Sequence, residues 1–353
     1  MPVKRLFITT LLILAALFSS SCAAVDTAAT TSGGTQKGET AMEKTITPAT
    51  SILTVMNEPS FKEFGQFLFP TDFYTPTPSM KVSDAGNLLP YHTHINAGDS
   101  CNVLNYLLNR ARSGRRVFYN IYSEEARKLN PELEKTGLFF FRGRPDAPFA
   151  VICAGGGFAY VGSIHESFPH ALELSKKGYN AFALLYRTGS AQKACDDLAA
   201  ALTFIFKNAA ALNINTNSYS LWGGSAGARM AAYLGSYGAE AFGGAALPKP
   251  AAVIMQYTVH TDYTPDDPPT YACVGENDGI ASWRTMQRRL DNLNRLGIET
   301  EFHKYPHLGH GFGLGRGTSA EGWLNDAAAF WQRQIDKQKK QLIMEVLLWR
   351  KKF

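Results

Sequence analysis

The chain has 353 residues, of which 45% are hydrophobic and 12% aromatic, so it can bury a large core and is not disordered in bulk. Its formal net charge of +5 is small for this length, and the basic residues are scattered except near the C-terminal end, which argues against a nucleic-acid-binding surface. This composition predicts one large α/β domain behind an N-terminal extension.

Residues 1–22 have the pattern of an export signal. Two basic residues precede an apolar run over 6–18, which is too short to span a bilayer comfortably, and three serines lead to Cys22. The small residues before Cys22 resemble the cleavage box of bacterial lipoproteins, in which the cysteine becomes the lipidated first residue, although Ser19 stands where an aliphatic residue is usual. We expect an exported, lipid-anchored protein. Ordinary secretion with cleavage near Ala23 or Ala24 is the alternative.

Two further segments precede the main domain. Residues 23–48 are rich in Thr, Ala, Gly and Ser and predict a flexible tether. Residues 49–115 are irregular and aromatic and predict a wrapping or cap segment, whose aromatic rings would either cover the core or contact sugar rings; a helix over 101–113 closes it. His92 and His94 have metal-like spacing, but no third ligand is near, so we interpret them as loop histidines.

Residues 116–336 alternate strands and helices, which predicts an α/β fold with an eight-stranded, mostly parallel sheet covered by helices on both faces. The opening strands lack a long helix between them and are expected to be antiparallel. The predicted strands are 117–123, 138–142, 149–153, 180–186, 219–222, 252–256, 271–275 and 299–305. The predicted helices are 166–177, 192–209, 226–234, 283–293 and 323–331.

The stretch 221–228 predicts a strand that turns abruptly into a helix, with Ser225 at the tip of the turn. Glycines at 223, 224 and 227 and alanine at 226 are the small residues that such a turn demands. A serine in a G-x-S-x-G turn between strand and helix is typical of a catalytic nucleophile.

A glycine loop, Ala154-Gly155-Gly156-Gly157-Phe158, follows the buried strand 149–153. Backbone N–H groups of such a loop can approach the negative charge that develops on a carbonyl oxygen during acyl transfer. We predict that Gly156, Gly157 and Ala226 supply the oxyanion hole. The loop does not fit a phosphate site, because no G-x-x-x-x-G-K pattern exists.

Two loops after later strands carry the candidate acid and base. Asp278 follows strand 271–275 and could orient a histidine, with Glu276 as its competitor. His310, flanked by glycines after the last strand, suits a general base that takes the proton from Ser225, and His307 is the weaker candidate.

The order Ser225, Asp278, His310, each beyond a strand's carboxyl end, is that of the α/β-hydrolase fold. The chain resembles α/β-hydrolase carboxylesterases, especially acetyl-xylan-esterase-like and hormone-sensitive-lipase-like bacterial members. The resemblance covers about 117–331 and rests on AGGGF at 154–158, Tyr186-Arg187, Asp197-Leu198, GGSAG at 223–227, GEND at 275–278 and GHGF at 309–312. Ala154 departs from the lipase-like pattern, which usually has histidine there. The resemblance implies hydrolysis of small esters without metal or organic cofactor.

The substrate side is less specified. Only about thirteen residues, 257–269, separate the sixth and seventh strands, which favours an open site. The candidate substrate contacts are Phe158, Tyr160, His165, Glu166 and His260. We expect a small-molecule or oligosaccharide ester, such as an acetylated plant-polysaccharide fragment. A prolyl-oligopeptidase-like serine peptidase and a non-catalytic surface binding protein of hydrolase fold are the alternatives.

Two features outside the predicted site remain open. A disulfide between Cys101 and Cys195 would suit an exported protein. Residues 337–353 form a basic, apolar tail that predicts a helix lying on an anionic membrane or packed on the domain.

Overall fold

An eight-stranded sheet forms the centre of residues 45–350, the part of the chain that the computed structural model describes. The strands follow the order β1-β2-β4-β3-β5-β6-β7-β8; β2 pairs antiparallel with β1 and β4, and the other neighbours are parallel. The predicted sheet is thereby confirmed. The strands are β1 Phe118–Tyr119, β2 Gly137–Phe141, β3 Pro148–Cys153, β4 Asn180–Leu185, β5 Asn215–Gly224, β6 Ala252–Gln256, β7 Thr270–Gly275 and β8 Thr300–Tyr305.

The central strands are continuous apolar runs because helices cover both faces of the sheet. In register across the sheet, Val151 pairs with Leu221, and Leu221 pairs with Val253, and all three side chains are buried. At the sheet's edge, β1 is shorter than predicted. The chain leaves it because the Ser123 side chain accepts a hydrogen bond of 3.2 Å from Ala126 N and begins a helix.

The helices and short turns connect the strands in chain order. The α-helices of the described residues are α1 Ile52–Met56, α2 Ala97–Arg112, α3 Glu124–Leu129, α4 Ser167–Lys176, α5 Ala191–Lys207, α6 Ala209–Leu212, α7 Ala226–Tyr237, α8 Trp283–Arg295 and α9 Trp323–Arg350. Short 3₁₀ helices lie at Pro59–Phe61, Gly65–Phe67, Val82–Leu88, Pro131–Lys135 and Glu240–Phe242. Because β3, β5, β7 and β8 run parallel, their carboxyl ends lie along the same edge of the sheet.

The aromatic side chains of 49–115 fall into two groups. Phe61, Phe64 and Phe69 are buried, and Phe64 packs edge-on against Phe139 of β2 with ring centroids 5.3 Å apart. Phe73 and Tyr74 are instead about half exposed. This segment therefore shares the core of the sheet while leaving part of its aromatic surface open to solvent.

Helix α9 is longer than the predicted last helix. Its first half closes the core, because Trp323 and Trp331 both pack against Trp222 of β5 at 6.3 Å between ring centroids. The helix then continues through the predicted tail to Arg350. Within residues 45–350, no helix combines the length and the apolar content that crossing a membrane requires.

The cysteines decide a possibility that the sequence left open. Cys101, Cys153, Cys195 and Cys273 are all buried free thiols, so Cys101 and Cys195 do not form a disulfide. Cys101 lies on α2, which packs against α4, whereas Cys195 lies on α5, which packs against α7. The predicted signal segment 1–22, the lipidation site Cys22 and most of the tether 23–48 lie outside the described residues.

Candidate active site

Ser225 stands at the turn between β5 and α7 in a backbone conformation that is uncommon for a residue with a side chain. Its φ is 50° and its ψ is −112°. The turn closes only around glycine: a Cβ atom at Gly223 would lie 2.2 Å from the carbonyl carbon of Gly227, and one at Gly227 would lie 2.0 Å from the Cys153 oxygen. This tight turn fixes the position of the Ser225 hydroxyl.

A chain of hydrogen bonds links Ser225 to a histidine and a carboxylate. The Ser225 Oγ lies 3.0 Å from Nε2 of His310, and Nδ1 of His310 lies 2.8 Å from Oδ2 of Asp278. Because a carboxylate can only accept, Nδ1 carries the proton and Nε2 is left to accept from the serine hydroxyl. The other oxygen of Asp278 accepts from the N–H groups of Ile280 and Ala281, at 2.8 and 2.7 Å, which fixes the carboxylate.

The competing acid and base stand apart from Ser225. Glu276 points to solvent and forms an ion pair with Lys304 at 2.7 Å; the hydrogen bond from Lys304 holds the pKa of Glu276 below its usual value. His307 is exposed at a turn. Of the candidates in these two loops, Asp278 and His310 are the pair that meets the serine.

The glycine loop after β3 runs directly beside the nucleophile. A Cβ atom at Gly155 would lie 2.9 Å from Cβ of Ser225. Gly156 and Gly157 have φ values of 132° and 64°, which favour glycine. Within residues 45–350, no acceptor pairs with the N–H of Gly156, Gly157 or Ala226, so these groups are available to a ligand.

Glu166 is buried between the glycine loop and the serine turn. One carboxylate oxygen accepts from the Gly155 N–H, and the other accepts from the Tyr257 hydroxyl at 2.6 Å and lies 3.0 Å from Nε2 of His92. A Cβ atom at Gly224 would approach this carboxylate to 2.7 Å. Burial raises the pKa of Glu166, but His92 and the two hydrogen-bond donors outweigh burial and hold it well below its usual value.

Residues 91–93 tie the glycine loop to the histidine loop. His92 Nδ1 lies 2.8 Å from the hydroxyl of Tyr160, which follows the glycine loop. Thr93 donates its hydroxyl proton to the His310 carbonyl at 2.6 Å and its N–H to the Gly311 carbonyl at 3.0 Å. The sequence analysis interpreted His92 as a loop histidine, and its partners lie too far along the chain for any local pattern to reveal them.

Most of the predicted substrate contacts are buried supports instead. Tyr160 and Glu166 belong to the network just described. His165 lies 3.0 Å from the Gly311 carbonyl, and burial, with His92 nearby, lowers its pKa to about 3. His260 is buried against Tyr233 with ring centroids 4.6 Å apart. Phe158 is the predicted contact that keeps part of its surface open.

Solvent-exposed aromatic rings flank the glycine loop. The ring of Tyr91, 42% exposed, stacks on Tyr160 at 5.7 Å and lies 3.2 Å from a Cβ atom built at Gly157. Phe73 packs edge-on against the same tyrosine at 5.8 Å. The segment before β1 therefore brings apolar ring surface to the loop whose N–H groups are free.

The short connection 257–269 between β6 and β7 is held in place by contacts with α8. Arg289 of α8 pairs with Asp267 at 2.5 Å, with both side chains buried, and also donates to the Asp262 carbonyl at 2.8 Å.

Among residues 45–350, no group of three or more His, Cys, Asp and Glu side chains is arranged to hold a metal ion.

Comparisons with known proteins bear on the fold of the chain and on the family that its central part resembles. Residues 142–280 match the BD-FAE family model, an esterase family of the α/β-hydrolase type. No curated protein matches the sequence.

Solved structures of similar fold include three hydrolases. An acetyl ester-xyloside bifunctional hydrolase from Caldicellulosiruptor lactoaceticus is 19% identical, with a TM-score of 0.55, over 61% of this chain and 95% of its own. An alpha/beta hydrolase enzyme from a Medee basin deep-sea metagenome library is 23% identical, with a TM-score of 0.50, over 57% and 93%. A sugar hydrolase from Lactococcus lactis is 22% identical, with a TM-score of 0.50, over 57% and 95%. The chain therefore has the α/β-hydrolase fold, and its central part matches an esterase family of that fold.

Proposed function

We propose that this protein is a serine esterase that hydrolyses short-chain carboxylic esters, with Ser225, His310 and Asp278 as its catalytic residues. The observation that carries the proposal is the pair of hydrogen bonds, 3.0 Å from Ser225 to His310 and 2.8 Å from His310 to Asp278. The glycine loop beside the serine, with its available N–H groups, and the match to an esterase family add support.

The reaction proceeds in two halves. Ser225 Oγ attacks the ester carbonyl carbon while His310 Nε2 takes the hydroxyl proton, and the resulting oxyanion accepts hydrogen bonds from Gly156, Gly157 and Ala226. The tetrahedral intermediate collapses, His310 returns the proton to the leaving alcohol, and an acyl-serine remains. A water molecule, deprotonated by His310, then attacks the acyl group, and collapse releases the acid and restores Ser225. Asp278 stabilises the imidazolium in both halves.

Acetylated fragments of plant polysaccharides are the substrates that we propose. The exposed rings of Tyr91 and Phe73 beside the glycine loop would suit the apolar face of a sugar. One structure of similar fold is named as an acetyl ester-xyloside hydrolase, which is consistent with such a substrate. We also propose that the protein is exported and held at a membrane by lipid on Cys22.

The first experiment asks whether Ser225 is the nucleophile. Ser225→Ala should abolish hydrolysis of p-nitrophenyl acetate and labelling by a fluorophosphonate probe, while Ser79→Ala, at an exposed serine, should change neither. Undiminished turnover by Ser225→Ala would sink the assignment.

The second experiment addresses the substrate. Turnover is compared on acetyl, butyryl and feruloyl esters, both free and attached to xylan. The proposal requires acetyl esters to have the highest kcat/KM and acetylated xylan fragments to be deacetylated. Preference for a longer or aromatic acyl group would contradict the substrate class while leaving the serine mechanism in place.

A further inference from the structure

Helix α9 consists of a docked half and a projecting half. Up to Gln338 the helix is fixed to the domain: Ile335 is buried, Lys337 forms an ion pair with Glu299, and Gln338 accepts a hydrogen bond from Ser218 at 2.6 Å. From 339 to 349 every side chain is exposed. At 1.5 Å per residue, the projecting half is about 16 Å long.

The projecting half carries an apolar block that water would not favour. Its members are between 44% and 63% exposed: Leu342, Ile343, Met344, Val346, Leu347 and Leu348. Within residues 342–348, Glu345 is the one charged residue. Consecutive helical residues turn by about 100°, so this block presents apolar surface on nearly every side of the helix. An element of this kind gains free energy when a surrounding apolar medium covers it.

Basic residues flank the block on both sides. Residues 337–352 contain six Lys or Arg and one Glu, out of 35 basic and 30 acidic residues in the whole chain, which leaves 29 of each elsewhere. The formal net charge of +5 therefore resides entirely in this segment. Among the described residues, no carboxylate forms an ion pair with Lys339 or Lys340, so their charge is available to an external partner.

We infer that residues 337–352 bind the surface of an anionic lipid bilayer, with the apolar block in the interface and the flanking basic groups among the lipid headgroups. The projecting half is too short to cross a hydrocarbon core of about 30 Å. Long basic side chains at both ends can reach the headgroups from a helix that lies along the surface. A second copy of the chain is a poorer partner, because pairing two tails would bring two clusters of positive charge together.

Vesicle binding tests this inference. Because Thr45–Phe353 is a compact unit of its own, it serves as the protein and removes the apolar segment 6–18 from the measurement. Its co-sedimentation is measured with vesicles of phosphatidylcholine alone and of phosphatidylcholine mixed with phosphatidylglycerol. Binding should occur on the anionic vesicles and weaken as salt is added, because screening acts on the basic groups.

Two variants separate the charge from the apolar block. Lys339→Glu with Lys340→Glu should reduce binding at least about tenfold, since each basic group strengthens binding to such a surface by about fivefold. Ile343→Ser with Leu347→Ser should reduce it to a similar extent, at about tenfold, by removing apolar burial. The control, Lys62→Glu with Lys207→Glu, makes the same charge change at exposed lysines elsewhere and should bind as the parent does. Circular dichroism and thermal unfolding verify that each variant is folded.

Three results would overturn the inference. The first is equal binding to neutral and anionic vesicles, and the second is binding that neither tail variant reduces. The third is a dimer that forms without lipid, is lost in Ile343→Ser with Leu347→Ser, and does not bind vesicles; it would assign the block to a second copy of the chain. Light scattering of the parent and the variants detects that dimer.

Discussion

Two buried carboxylates near Ser225 differ in what surrounds them. Asp278 holds one ring nitrogen of His310 and two backbone N–H groups of its own loop. Glu166 contacts no member of that hydrogen-bonded chain directly; it joins the glycine loop, Tyr257 and His92. The first carboxylate can act on the proton transfer itself, whereas the second acts on the positions of the groups around it.

Replacing Asp278 should affect the chemistry more than the fold. Asp278→Asn keeps the shape of the side chain but removes the charge that stabilises the His310 imidazolium, so we expect kcat to fall by up to about 10⁴. Steady-state turnover of p-nitrophenyl acetate measures the loss. Glu276→Gln is the matched control and should retain nearly full activity, because Glu276 pairs with Lys304 at the surface. A larger loss in Glu276→Gln would identify Glu276 as the acid.

Replacing Glu166 should affect both stability and kcat. Glu166→Gln leaves His92 without its buried carboxylate and weakens the hold on Gly155, so the free energy of unfolding should fall by about 3 kcal/mol. Displacement of the loop by about 1 Å should lower kcat about 100-fold while KM changes little. Denaturant unfolding and steady-state kinetics measure the two effects.

The matched control for Glu166 is Glu173→Gln, which changes a carboxylate that lies nearer the surface on α4, the helix that Glu166 immediately precedes, and it should leave kcat intact. If Glu166→Gln raised KM and spared kcat, Glu166 would instead contact the substrate, as the sequence alone suggested.

At the scale of elements, the serine turn and the glycine loop are built around one carboxylate. Glu166 occupies the space in which a side chain at Gly224 would lie. The two loops therefore cannot shift independently of each other, and the distance between Ser225 and the available N–H groups is fixed by packing. A small residue at 224 is a structural requirement of this site.

A methyl group at position 224 should lower the free energy of unfolding. Gly224→Ala would bring a Cβ atom within 2.7 to 2.9 Å of three Glu166 carboxylate atoms, so we expect a loss of about 2 kcal/mol in unfolding free energy and a fall in turnover. Gly279→Ala is the control, because nothing lies within 4 Å of its added methyl group. Equal stability of the two variants would show that the carboxylate can move aside. Chemical denaturation compares them.

The sequence predicted the elements whose signal is local. Strand β6 was bounded correctly at both ends, because an apolar run flanked by loop residues is a sufficient signal for a buried strand. The short helix α3 was missed: the predicted strand over 117–123 included Ser123, whose side chain instead caps that helix. The C-terminal residues were predicted as two separate elements, a last helix marked by residues 323–331 and a helical tail over 337–353, whereas the structure has one continuous helix, α9.

The residues of the candidate site likewise divide into those with a local sequence signal and those without one. Ser225, Asp278 and His310 each follow a strand and stand among glycines, and such patterns can be recognised within a few residues of each. The role of His92 depends on contacts with residues about seventy positions away, and that of Thr93 on contacts more than two hundred positions away. A single sequence holds no local signal for such contacts. Most of the residues predicted to contact substrate are buried and pack against neighbouring groups instead.

At the scale of the whole molecule, buried histidines link stability to pH. Burial lowers the pKa of His165 to about 3 and those of His170 and His260 to about 4. In the unfolded chain these rings have a pKa of about 6.5. Between about pH 6.5 and pH 4 the unfolded state therefore binds protons that the folded state does not, and stability falls as the pH falls.

His260 offers a direct test of this linkage. His260→Phe keeps an aromatic ring against Tyr233 but removes the titrating group, so its unfolding free energy should decline less between pH 6.5 and pH 4, by up to about 3 kcal/mol, than that of the parent. Urea unfolding at a series of pH values measures the difference. The difference in unfolding free energy between the two proteins at pH 7.5 measures the effects of the substitution other than titration. Parallel curves across the acid range would contradict the prediction.

The order of the three residues along the chain matters during synthesis. A ribosome completes the turn that holds Ser225 long before it reaches Asp278, and it adds His310 last. The tryptophans of α9 that close the core behind Ser225 come later still. A growing chain therefore carries the serine without the base that would activate it. If the proposed mechanism holds, the reactive hydroxyl is switched on only when the domain is nearly complete, and half-made chains are spared acylation by stray esters.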